Sequence, residues 1–161
     1  MAIEPDLRNQ LNQLVGTWRS EGHVVGGGEH EGEVWRGFDI YEWFPGEQQM
    51  VHRVDVEIFG GRKEAMEFFT PHESSTDSFD QTSFDAVGTI ERGVGSFDAE
   101  GRYHNDSEGA RAVVTFHDGN SMSAHWELRQ PDGTWVDWMN VSFTRLGEPH
   151  IEVRSKREHT S

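Results

Sequence analysis

His52 stands in "MVHRVDVEI" (50–58), where apolar and polar residues alternate. A period of two marks a strand with one buried face. Met50, His52, Val54, Val56 and Ile58 share one face, and Arg53, Asp55 and Glu57 share the other. The first set is expected to point inward. The second is expected to point outward, with Asp55 and Glu57 solvated and Arg53 pairing across the strand. An imidazole among methionine and valines could shuttle a proton or orient the polar end of a ligand. It could equally be a buried histidine held by a neighbour's hydrogen bond. Asp137 is the second candidate. In "TWVDWMNVSFTR" (134–145), Trp135, Asp137, Met139, Val141, Phe143 and Arg145 fall on one face, expected to be the inner one. Among aromatic rings, desolvation would raise the carboxyl pKa and make Asp137 an acid/base partner for His52. At a wet strand mouth it would only be solvated. In "SMSAHWEL" (121–128), Met122, Ala124, Trp126 and Leu128 point inward and leave Ser123, His125 and Glu127 outside. Trp126 and Trp135 read as pocket walls or as plain core. The ligand-binding candidates are thus Met50, His52, Val54, Trp126, Trp135 and Met139.

Other chemistries find little support. The absence of cysteine removes disulfides, thiolate metal sites and a thiol nucleophile. The nine histidines form no H-x-H or H-E-x-x-H spacing, and no metal site is expected. "DSFDQTSFDA" (77–86) lacks the spacing of a calcium loop. No G-x-S-x-G elbow is present. "VVGGGEHEG" (24–32) precedes neither a helix nor a lysine, so it reads as a loop at a strand mouth rather than a phosphate cradle. The formal charge is −15, the only lysines are Lys63 and Lys156, and the arginines are dispersed. A chain without a basic face cannot displace counterions from phosphates, so neither nucleic acid nor an anionic membrane surface is an expected partner. No apolar run approaches the length of a membrane span. The opening "MAIEPDLRNQ" is charged, so no signal peptide is expected and a cytoplasmic location is the default.

Something must position these side chains. Leu7, Leu11 and Leu14 lie on one face of a short helix over 4–14, with Pro5 and Asp6 suited to its first turn. Strand patterns follow over 14–25, 33–44, 49–59, 64–70, 79–85, 88–98, 102–106, 110–117, 121–128 and 134–146. The breaks carry turn residues, such as Pro45-Gly46, Gly60-Gly61 and Pro131-Asp132-Gly133. "HDGN" (117–120) is the sharpest hairpin signal, because Asp-Gly suits a primed turn. In the second strand both faces carry aromatics, Trp35, Tyr41 and Trp43 against Phe38, Ile40 and Phe44, and its orientation stays open. About ten consecutive strands without helical crossovers form a meander, and closing first on last removes both exposed edges. The expected fold is an all-β, ten-stranded antiparallel up-and-down barrel over 1–146, closed at one end by the helix, with a polar tail over 147–161.

Closure gives a purpose to "LVGTWRSEG" (14–22). With Trp18 inside, Gly16, Ser20 and Gly22 share its face and leave room for the indole. Arg145, near the end of the last strand, would lie over the ring and satisfy nearby backbone carbonyls. This pairing of Gly16, Trp18 and Arg145 resembles the signature of the calycin superfamily, which includes lipocalins, fatty-acid-binding proteins and nitrobindins. "GTWRSEG" (16–22), "VHRVDV" (51–56), "FDAVG" (84–88) and "GNSMSAHWELRQPDGTWVDWMNVSFTR" (119–145) are similar to a bacterial calycin-like family of unknown function. The resemblance implies the barrel and assigns no activity. Nitrobindin likeness would imply a haem held by a late histidine, but strand 134–146 has none and no cofactor is expected.

Three functions are compatible with such a barrel. One is binding of a small hydrophobic or aromatic molecule in the cavity. Another is a cofactor-independent isomerase, cyclase or lyase using His52 and Asp137. The third is a filled barrel with a structural role, whose Trp35, Tyr41 and Trp43 would form a homodimer surface.

Overall fold

Pro5 and Asp6 open helix α1 (Pro5–Leu11), which passes into a 3-10 turn over Asn12–Leu14. The computed structural model describes residues 2–154. Seven residues cannot hold a helix by themselves in water. α1 is stabilised instead by burying Ile3, Leu7, Leu11 and Leu14 against the strands.

Ten strands follow: β1 (Gly16–Val24), β2 (Val34–Trp43), β3 (Met50–Ile58), β4 (Gly61–Pro71), β5 (Ser78–Asp85), β6 (Ile90–Phe97), β7 (Tyr103–Ser107), β8 (Ala110–Asp118), β9 (Ser121–Arg129) and β10 (Trp135–Gly147). Each pairs antiparallel with its sequence neighbours, and β10 returns to β1, so the barrel is closed. Trp18 lies opposite Arg145 across that seam. The guanidinium stacks on the Trp18 ring at 4.2 Å. It also donates to the backbone carbonyls of Val15, Gln13 (3.0 Å) and Gly119 (2.7 Å). The indole, 1% exposed, donates to the Leu14 carbonyl at 2.8 Å. One arginine therefore ties the helix exit, the β8–β9 turn and β10 together at the closed end. Gly16 makes this possible, since a Cβ there would fall 2.3 Å from the Arg145 Nη1.

Two turns differ in detail from expectation. The β8–β9 hairpin forms at Asp118–Ser121, but neither Gly119 nor Asn120 takes a positive φ. The Asp118 carboxylate accepts from the Asn120 N–H at 2.7 Å, and a register shift between Phe116 and Asp118 absorbs the strand splay. A turn with positive φ at both central residues occurs instead at Phe59-Gly60, between β3 and β4. Residues 148–154 also do more than trail from the barrel. They cross its outer surface, where Thr17 donates to the Glu148 carbonyl (2.9 Å) and Arg53 to that of Glu152 (3.1 Å). Arg53 thus points outward as expected, yet is only 5% exposed and bonded to Glu64. The rest of the expected tail, 155–161, lies outside the described residues.

The interior is layered. At the helix end Trp18, Met50, Phe69, Phe79, Tyr103, Met122 and Phe143 are buried, and the Phe69, Phe79, Phe97 and Tyr103 rings pack with centroids 5.0–6.5 Å apart. The middle layer contains Ser20, Asp39, His52 and Glu67. The far mouth is ringed by Trp35, Ile58, Trp126, Trp138 and Met139.

Candidate functional site

His52 is inside the barrel, as its alternation requires, and its neighbours are polar. β3 pairs with β2 and β4, placing His52 opposite Tyr41 on one side and Glu67 on the other. Its Nε2 lies 2.6 Å from Asp39 Oδ1 and its Nδ1 3.0 Å from Glu67 Oε1. Ser20 Oγ donates to the second Asp39 oxygen. Tyr41 stacks on the imidazole with centroids 3.9 Å apart and planes 8° apart. With a carboxylate at each ring nitrogen, both nitrogens donate and His52 is an imidazolium. Burial pushes its pKa down, but the hydrogen bonds and charges of Asp39 and Glu67 outweigh that and raise it from 6.5 to about 9. Burial first, and then the Asp39 charge, hold the Tyr41 hydroxyl protonated well above its usual range. Burial and Glu67 do the same for Tyr103.

Asp137 is elsewhere. The pairing of β10 with β9 shifts register between Asp137 and Met139, so Trp138 is an extra residue in β10. Such a bulge reverses the alternation on one side of it. Met139, Val141, Phe143 and Arg145 keep the expected inner face, while Asp137 and Trp135 turn outward. The Asp137 side chain is 69% exposed and bonds to His125 Nε2 at 2.9 Å. Trp135 lies outside under the Arg111 guanidinium at 4.2 Å. The expected His52–Asp137 pair and the Trp135 pocket wall are therefore both corrected. Trp138 takes the inner place and packs edge-on against Trp126 at 6.1 Å. Of the six candidate ligand contacts, Met50, His52, Val54, Trp126 and Met139 face the interior. Met50 belongs to the closed aromatic layer and Trp126 and Met139 to the mouth.

The open orientation of β2 resolves with Trp35, Asp39, Tyr41 and Trp43 inside. Trp35 and Tyr41 are buried, and Trp43 donates to Asn12 at 2.7 Å. The dimer surface expected from Trp35, Tyr41 and Trp43 is thus an inner wall. Asp39, Glu67 and Gln81 were missed in the sequence. Gln81, on β5, is 1% exposed, and neither its Nε2 nor its Oε1 has a hydrogen-bond partner among the described residues. It neighbours Tyr103 without forming a bond of good geometry. The Trp35 Nε1 is likewise buried and unpartnered.

Small inward residues make room for the large rings. Gly22 admits the Trp35 indole, since a Cβ there would lie 2.1 Å from it, and Gly95 admits the Phe79 ring in the same way. Ala65, Ala112 and Ala124 face the same lumen. Val54 lies one inward position deeper than Val56 yet is the more exposed of the two. The Glu67 side chain keeps 17% of its surface accessible. The polar layer is therefore not completely sealed at Glu67. A separate groove of about 510 Å³ lies outside the barrel, between residues 2–7 and the β4–β5 loop, and contains none of these residues.

A closed ten-stranded barrel sealed by a helix and an indole–guanidinium pair, with polar groups inside, is a calycin-like fold. No family model and no curated protein matches the chain. Among solved structures it is similar to Rv2717c from M. tuberculosis, with a TM-score of 0.65 at 12% identity over 89% of this chain and 98% of that one. It is also similar to the S-type phycobiliprotein lyase CPES from Guillardia theta, with a TM-score of 0.62 at 8% identity over 86% and 92% of the two chains. At such identities the likeness is one of fold, and it agrees with the calycin-like architecture.

Proposed function

We propose that the barrel binds a small, largely apolar molecule through the mouth opposite α1, with the molecule's polar end in the Asp39–His52–Glu67 layer. The carrying observation is the Gln81 carboxamide. A buried amide without partners costs roughly 1–3 kcal/mol, and native proteins seldom keep one unless something else bonds it. Here it is buried beside Phe69, Phe79 and Gly95, inside a barrel whose mouth is walled by Trp35, Trp126 and Met139. Apolar walls with a few convergent polar groups are the usual form of a ligand pocket. The polar layer is built for binding and positioning rather than for proton transfer. Both His52 nitrogens are occupied, and Asp137 is across the barrel wall.

The test is a titration with the neutral fluorophore N-phenyl-1-naphthylamine, on the wild-type protein and on Val54→Trp, which fills the lumen. Saturable binding lost in the variant is expected. Equal binding by both proteins, or none by either, refutes the proposal.

A further inference from the structure

A second set of chemically active side chains stands outside the barrel, in the groove of about 510 Å³ between residues 2–7 and the β4–β5 loop. Alternation in β5 turns Phe79 and Gln81 inward and Asp80 outward, opposite Thr70 of β4. Pro71 ends β4, and His72 and Ser74 follow in the first turn of the loop. The Asp80 carboxylate accepts from the His72 Nδ1–H at 2.6 Å, so the neutral imidazole carries its lone pair on Nε2. That nitrogen lies 3.3 Å from the Ser74 Oγ, whose hydroxyl donates to it. Serine, histidine and aspartate are thus joined in the order of a nucleophile, its base and the group that orients the base. Ser75 is not equivalent, because its Oγ accepts from the Asp77 N–H at 3.1 Å. His72 and Ser74 both line the groove, together with the buried apolar side chains of Ile3 and Leu7. Its charged lining residues are Glu4, Glu73 and Asp77, with no lysine or arginine among the described residues. Those carboxylates repel an anionic substrate, and the apolar wall suits a short hydrocarbon chain.

The geometry points to a serine hydrolase site for uncharged esters of short-chain acids, with Ser74 as nucleophile, His72 as general base and acid, and Asp80 as the residue that positions His72. The site is independent of ligand binding inside the barrel. Ser74 Oγ adds to the ester carbonyl carbon while its proton passes to His72 Nε2. The tetrahedral adduct then breaks its bond to the alcohol oxygen, and the alcohol leaves with the proton from His72. A water molecule adds to the acyl-serine and gives its proton to His72. Collapse breaks the bond to Ser74 Oγ, which recovers that proton, and the carboxylic acid is released. Ester and water are the only reactants consumed. Asp80 keeps the Nε2 lone pair directed at Ser74 and stabilises the imidazolium that forms.

Diethyl p-nitrophenyl phosphate tests the nucleophile, since an activated serine displaces p-nitrophenolate from it and keeps a stable diethylphosphoryl group. Peptide mass mapping of the treated wild-type protein is expected to place that group on Ser74, with none on Ser75 or Ser78. Labelling is expected to fall by about tenfold or more in His72→Ala, which removes the base. Hydrolysis of p-nitrophenyl butyrate tests turnover. Ser74→Ala is expected to lower it by about tenfold or more. Asp80→Asn is expected to lower kcat by about the same factor with KM within about twofold, whereas a loop merely displaced would change both. Near-UV circular dichroism checks the folding of each variant, and the wild-type labelling decides the matter even if a variant fails to fold. An unlabelled Ser74, equal labelling of several serines, or undiminished labelling of a folded His72→Ala protein would each overturn the site. Hydrolysis by Ser74→Ala at the wild-type rate would overturn it too, and an unchanged kcat in Asp80→Asn would overturn the positioning role.

Discussion

Replacing His52 by glutamine should flatten the dependence of stability on pH. The folded-state pKa of about 9 is above the ordinary 6.5, so the imidazolium is favoured by the fold. The resulting stabilisation is fully present below pH 6.5 and is lost as the pH rises through 9. At 1.36 kcal/mol per pKa unit the difference amounts to roughly 3 kcal/mol. Glutamine keeps a donor but no charge, which leaves Asp39 and Glu67 facing each other uncompensated. At pH 6.5 the variant should be less stable by about 3–5 kcal/mol, the usual cost of breaking a buried ion pair from one side. Urea unfolding at half-unit intervals from pH 6 to 9.5 measures both curves. The gap between them should narrow by roughly 3 kcal/mol across that range. Parallel curves would refute the reasoning, for they would mean that His52 binds its proton no more tightly in the fold than in the unfolded chain.

Removing the Arg145 guanidinium should strike the closed end. Arg145→Met loses the contact with the Trp18 ring and three hydrogen bonds to backbone carbonyls, that of Val15 partly buried, so a loss of about 2–4 kcal/mol is expected in urea unfolding. Arg145→Lys should recover less than half of it, since a point charge cannot reach three carbonyls and stack as well. Asp137→Asn, by contrast, should change stability by less than about 0.5 kcal/mol and leave N-phenyl-1-naphthylamine affinity unaltered, because the side chain is on the outer surface.

The barrel was legible because several local signals agreed. Leu7, Leu11 and Leu14 fixed the helix face, alternation in 50–58 and 121–128 fixed two inner faces, and Trp18 with Arg145 implied the closing seam. The polar layer was harder to see for physical reasons. In β4, Lys63 and Glu67 share the inner face, while Met66 and Phe68 lie on the outer one. Part of that side of the barrel is covered by residues 148–154, so periodicity there points the wrong way. β2 was decidable in principle. Trp43 pairs with Met50 across a short connection, and with Met50 inside, Tyr41 and Asp39 must be inside too. Asp137 and Trp135 were misplaced because one extra residue, Trp138, reverses the alternation, and no residue type announces such a bulge. The buried Gln81 had no sequence signal at all, since "SFDQTSFD" reads as a polar strand end.

Whether a molecule occupies the lumen can be observed directly through the N–H groups that line it. Proton–nitrogen correlation spectra recorded during saturation with N-phenyl-1-naphthylamine should show large shifts of the Gln81 side-chain amide and the Trp35 indole N–H, with the Trp135 indole, on the outside, unmoved. Shifts confined to Trp135 and other outer residues, or an unchanged spectrum at saturating probe, would contradict a ligand-binding interior.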